Sequence, residues 1–103
     1  MDELRDRLQA ALRDALKDRD RVAARAIRTA LAAIANAEAV DPADHSTAEV
    51  PRRELGADDL RSIVGAEVSE RRRAALTYEQ SGRTEHAGEL HREADVLDRI
   101  LTG

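Results

Sequence analysis

The chain has 103 residues, among them 20 Ala, 16 Arg, one Lys, one Tyr and no Cys, Phe or Trp; its formal charge is −4 and 37% of it is charged. A disulfide framework and a thiolate metal site are thereby excluded, as is a bilayer-spanning run of roughly 20 apolar residues. The mild acidity argues against broad, non-specific nucleic-acid binding, which draws on a net positive field, but leaves a local basic patch open.

The length suits one domain over residues 1–103, since single domains commonly run to about 100–200 residues. No apolar run follows Met1, so no signal peptide is expected, and a cytoplasmic location is. Abundant Ala, Arg and Glu with few β-branched residues favours helix throughout. The first helical stripe is Leu4, Leu8, Ala11, Leu12, Ala15 and Leu16, with Asp2 as a candidate cap. The wholly charged run Lys17–Arg21 interrupts it, and Asp18 or Asp20 is placed to cap a second helix. That helix carries Ile27, Leu31 and Ile34, broadened by Ala23, Ala26 and Ala30, and fades near Ala39.

Residues Val40–Gly56 show no period and contain Pro42, Pro51 and Gly56, which predicts a long loop inside the domain. A third helix is expected from about Ala57, with Asp58 and Asp59 favoured by the dipole of its first turn. Its face reads Leu60, Ile63, Val64, Val68, Ala74, Ala75 and Tyr78, and Gly82 suits the left-handed position that ends it. Thr84 is placed to cap a fourth helix bearing Leu90, Ala94, Leu97 and Leu101. The fold expected is all-α, a small bundle of four amphipathic helices in two hairpins. The short last connection implies antiparallel neighbours.

Some charges fall on the wrong side of these helices. At about 100° per residue, Glu67 and Arg71 land within the apolar face of the third helix, spaced for an i,i+4 ion pair. Glu93 falls beside Leu90 and Leu97 on the fourth, and His86 leans the same way. A buried unpaired charge costs several kcal/mol, so a network of Glu67, Arg71 and Glu93 is expected between helices. It reads either as a lock on helix register or as a polar cleft for a carboxylate or phosphate, where the planar Arg fork is favoured. A second set, Arg21, Arg25 and Arg28 with Asn36 further along, flanks the apolar face of the second helix; Arg28 lies closest to it. This row is either a solvated, ion-paired face or a row that tracks phosphates. Arg72, inside the run Arg71-Arg72-Arg73, and Arg83 just beyond are weaker anion-binding candidates. The lone Tyr78 offers no stacking platform and is expected in the core.

No Gly-x-Ser-x-Gly elbow, phosphate-cradling glycine loop or dinucleotide fingerprint occurs, and no Cys can act as nucleophile. His86 and His91 are not spaced as an i,i+4 metal pair, so neither metal nor cofactor is expected.

Several of these residues carry a family likeness. Asp20-Arg21-Val22 through Arg28, with Leu31-Ala32-Ala33-Ile34 and Asn36-Ala37-Glu38, resembles the second helix of the YqeY-like proteins. Glu67-Val68, Arg71, Tyr78-Glu79 and Gly82-Arg83 look like the third helix and turn, and Glu93, Leu97 and Leu101 like the fourth. Leu90 and Ala74 depart from the pattern, where an acid and a Ser are frequent. Thr102-Gly103 stands where such proteins continue through a Leu-Pro into a smaller helical domain, so the likeness is to the first domain alone. The family is related to the tail of the B subunit of aspartyl/glutamyl-tRNA amidotransferase (GatB/YqeY).

The resemblance implies a link to tRNA-dependent amidation, a carbon–nitrogen ligation with glutamine as nitrogen donor. The catalytic body of that ligase does not resemble any part of this chain, so ligase activity of its own is not expected. The expected role is a helical module that binds tRNA or an amidotransferase or synthetase component, with no membrane association. The alternative is a protein-interaction or self-associating module, a homo-oligomer without nucleic acid, which the net charge and Ala-rich faces would suit.

Overall fold

In the computed structural model, which describes residues 3–39 and 55–103, the helices are α1 (Glu3–Lys17), α2 (Arg21–Glu38), α3 (Ala57–Gln80) and α4 (Thr84–Thr102). No strand occurs among the described residues, so the chain is an all-α bundle. The loop expected over 40–56 lies outside them except for Leu55 and Gly56, as does the cap expected at Asp2.

Each helix begins and ends for a local reason. Asp20 accepts a hydrogen bond from the Ala23 N–H at 3.1 Å and caps α2. At α3 the Asp59 carboxylate accepts from the Gly56 N–H at 3.0 Å, reaching back to the residue before the helix. The two interhelical turns share one geometry. After α1, the Asp20 N–H bonds to the Ala15 carbonyl and the Arg19 N–H to the Leu16 carbonyl, at 2.8 and 3.2 Å. After α3, the Arg83 N–H bonds to the Tyr78 carbonyl and the Gly82 N–H to the Glu79 carbonyl, at 2.8 and 3.1 Å. Both are Schellman caps, in which one residue must be left-handed. That residue is Gly82 at φ 80° in the second turn but Arg19 at φ 57° in the first.

In both turns the residue after the left-handed one also opens the next helix. Arg83, not Thr84, is therefore the N-terminal flanking residue of α4, and it makes no side-chain cap. Thr84 is already helical, which corrects the expected cap: no spare residue separates the Schellman turn from the helix.

The core forms where the apolar stripes meet. Leu8, Ile27, Ile34, Leu60, Val64 and Leu97 are fully buried, each worth roughly 1.5–3 kcal/mol. Ala23, Ala26 and Ala30 of α2 and Ala94 of α4 are also buried, and such small side chains let helix axes approach at the short end of about 8–10 Å. The α3–α4 hairpin is the most extensive packing pair, with α2 laid against α4 and α1 against α2. Contacts Arg72–Asp95 and Tyr78–His86 fix the antiparallel sense of α3 and α4, since partners rise on one helix as they fall on the other.

Two arginines fasten α1. Arg5 pairs with Glu38 of α2 at 2.6 Å. Arg7 donates to the carbonyls of Ile100 and Leu101 at 2.8 and 3.5 Å, placing a cation on acceptors that the end of α4 leaves unpaired. Leu16, expected in the stripe, is 48% exposed, since the chain turns away beyond it and no other described residue closes over it. No helix among the described residues is long and apolar enough to cross a membrane.

The paired turns give opposite outcomes on substitution. Gly82→Ala meets no atom within 4 Å of its new Cβ, so its cost is conformational alone. It should lower stability by about 1 kcal/mol, a fall in midpoint of about 4–8 °C followed by circular dichroism. Arg19→Gly removes the same penalty and should raise the midpoint; a fall would show that the Arg19 side chain stabilises the turn.

Candidate functional site

Glu93 stands in the middle of α4 with its side chain 8% exposed, and arginines from two other helices converge on it. Its Oε1 accepts from Arg71 Nε of α3 at 2.9 Å. Its Oε2 accepts from Arg25 Nε and Nη2 of α2 at 3.3 and 3.2 Å. Arg71 Nη1 turns back along its own helix to Glu67, at 2.7 Å to Oε1 and 3.2 Å to the main-chain carbonyl. Arg25 Nη2 also binds Glu89, one turn before Glu93. The signs alternate across three helices, from Glu67 through Arg71, Glu93 and Arg25 to Glu89.

The buried part of this chain is well satisfied. A lone carboxylate in the position of Glu93 would lose several kcal/mol of hydration; both of its oxygens instead face guanidinium N–H groups. For Arg71, burial is the largest single influence and pushes its pKa down, but the hydrogen bonds to Glu67 and Glu93 together with their negative charges outweigh it and the net shift is upward. The field of Glu93 is the main cause of the upward shift at Arg25, opposed by burial and reinforced by Glu89. Both cations are fixed in the charged state.

The six anion-binding candidates do not form one surface. Arg21, Arg25 and Arg28 come together in a groove of about 410 Å³ at the α1–α2 turn, whose lining also includes Ala15, Leu16 and Arg19. Arg21 and Arg28 are exposed and have no carboxylate partner among the described residues. Arg28 therefore does not join the buried network as its place beside the apolar stripe suggested. Arg25 does, because α4 crosses the flank of α2 on which Arg25 lies. Asn36 is exposed two turns past Arg28, about 12 Å along the helix.

Arg72 is committed elsewhere. It pairs with Asp95 at 2.9 Å and approaches His91 Nδ1 at 3.4 Å. The hydrogen bond from Arg72 is the largest cause holding the Asp95 carboxyl below its ordinary range. Arg83 lies over the Tyr78 ring at 5.9 Å, at the α3–α4 turn. Tyr78 is half-buried at this helix end and not in the core as expected, with the exposed His86 edge-on at 4.2 Å. Here the ring covers the turn, and the apolar face beneath α3 is closed by Ala75 instead. No group of three or more His, Asp or Glu among the described residues could hold a metal ion.

Arg19 is the groove residue that sequence reasoning missed. Its run, Lys17–Arg21, reads only as an interruption of the stripe. The left-handed position that aims Arg19 is normally signalled by Gly, which is lacking there.

A family model described as Yqey-like protein matches residues 5–102. No curated protein and no solved structure matches the chain.

The network predicts unequal losses. Glu93→Ala leaves Arg71 in a nearly closed site beside Glu67 alone and should cost about 3–5 kcal/mol in urea unfolding. Arg25→Ala should cost less than about 1 kcal/mol, because Arg25 is 55% exposed and Glu93 keeps Arg71. Equal losses would refute the division between buried and exposed halves.

Proposed function

Because the chain belongs to the YqeY-like family, we propose that it is a non-catalytic helical module that binds tRNA or a partner protein in tRNA-dependent amidation, with the arginines of α2 as the RNA contact. The observation that carries this reading is the pair Arg21 and Arg28, exposed and without carboxylate partners among the described residues of a chain with net charge −4. Some other arginines are committed to ion pairs, Arg5 with Glu38, Arg71 with Glu67 and Glu93, Arg72 with Asp95; Arg21 and Arg28 are distinguished by bordering one groove together. An Arg left unneutralised on a helix face is suited to phosphate oxygens, which accept charge-assisted hydrogen bonds from its fork.

The physical consequence is local, phosphate-directed binding on a surface that is acidic overall. Net negative charge keeps non-specific attachment weak, while each phosphate contact releases counterions and makes binding salt-sensitive. Carbon–nitrogen ligation with glutamine as donor stays with the amidotransferase to which the family is related, and this module supplies binding.

Fluorescence anisotropy with labelled tRNA at low and at physiological salt tests the reading. Binding should weaken steeply with salt and be lost in the combined variant Arg21→Glu, Arg28→Glu. No binding at low salt removes the RNA reading, and binding that survives the charge reversal moves the contact off α2. Leu76, 57% exposed on α3, favours self-association as the second reading. A concentration-dependent sedimentation coefficient abolished by Leu76→Ser, in protein that binds no tRNA, would decide for it.

A further inference from the structure

We propose that the groove at the α1–α2 turn is a phosphate-binding site formed by Arg19, Arg21 and Arg28, and that Glu89 competes with the ligand for a fourth arginine, Arg25. The proposal rests on the reading of α2 as the RNA-facing element for one of its two possible ligands, an RNA phosphodiester; the other is a free phosphorylated compound.

Four arginines line one hollow of about 410 Å³, together with Ala15, Leu16 and Ala24. Arg21, Arg25 and Arg28 follow one another at i, i+4 and i+7 and so lie along one side of α2. Arg19 is brought in by the turn. Its φ of 57° is a conformation that L side chains rarely adopt, and the sister turn fills the equivalent position with Gly82. Glycine at 19 would suit the backbone better, and the side chain that stands there instead lines the groove. The side chains of Arg19, Arg21 and Arg28 have no carboxylate partner among the described residues.

The negative groups near the groove are differently placed. Asp20 lines it, but its carboxylate accepts the Ala23 N–H as the cap of α2. Glu93 holds Arg25 from the buried side and keeps Arg71 whatever happens in the groove. Glu89 is the more exposed of the two carboxylates on Arg25. An arriving phosphate therefore has one exposed ion pair to displace, and the core network stays whole. The apolar lining of Ala15, Leu16 and Ala24 gives the organic part of the ligand a surface beside the charges.

The test titrates the full chain with inorganic pyrophosphate by calorimetry and with a labelled single-stranded RNA by anisotropy. Pyrophosphate should bind the wild-type chain and bind Arg21→Ala and Arg28→Ala more weakly. Arg19→Gly should bind it more weakly while melting at a higher temperature, a pairing that loss of fold cannot produce. Glu89→Gln should tighten binding about 2–5-fold, the range of one exposed ion pair. Glu70→Gln makes the same change of net charge away from the groove lining and should leave affinity unchanged.

Pyrophosphate that fails to bind, or binds all three arginine variants like wild type, overturns the site. Equal effects of Glu89→Gln and Glu70→Gln overturn the competition. RNA displaced by pyrophosphate and weakened by the same variants identifies RNA as the source of the phosphate. Groove-dependent pyrophosphate binding without RNA binding leaves the site standing and removes the RNA reading. RNA binding that no groove variant alters, with no pyrophosphate bound, removes the site and leaves RNA binding to another surface.

Discussion

The fold depends on an ionised carboxylate kept inside a bundle with few large side chains. Glu93 holds its place on α4 chiefly through Arg71 from α3, with Arg25 from α2 on its outer oxygen, and both arginines reach it only if the three helices hold one register. Apolar contacts between Ala-rich faces are tolerant of sliding, because one small side chain resembles the next. A carboxylate with a guanidinium on each oxygen is not tolerant. The hydrophobic core supplies the drive to collapse, and the charge chain selects one arrangement from those that collapse would allow.

The chain also separates structure from exposure along a single side chain. Arg25 has its Nε and Nη2 on Glu93 and the same Nη2 on Glu89. Its inner contact belongs to the core and its outer contact to a groove open to solvent. That arrangement lets a surface event be felt at the position of one guanidinium while Arg71 keeps Glu93 neutralised. The fastening of α1 through Arg5 and Arg7 is independent of this chain, so the wall of the groove contributed by α1 is held from a different direction.

Much of this was legible in the sequence where the signal is local. The phase of Glu67, Arg71 and Glu93 against their neighbours follows from helical rotation alone, and Asp20 and Gly82 are residues whose side chain, or lack of one, states their role. What was not legible depends on a neighbour that sequence does not reveal. Arg25 and Arg28 lie on one side of α2, about 60° apart around its axis, and only the crossing of α4 decides which is drawn in. Tyr78 has the hydropathy of a core residue, yet its place at a turn leaves it beside His86 and Arg83. Thr84 has the chemistry of a cap, but the preceding turn leaves it no room. Arg19 hides a left-handed position under a side chain that seldom takes one.

The preference for arginine over lysine has a regulatory consequence. With 16 Arg and one Lys, nearly all positive charge resides on a group that does not lose its proton in proteins and cannot be neutralised by acetylation. Neither an alkaline shift nor an acetyltransferase could switch off the cations of α2 or release Glu93. A ligand that displaces Glu89 from Arg25 would change the field of this surface without removing any of its cations.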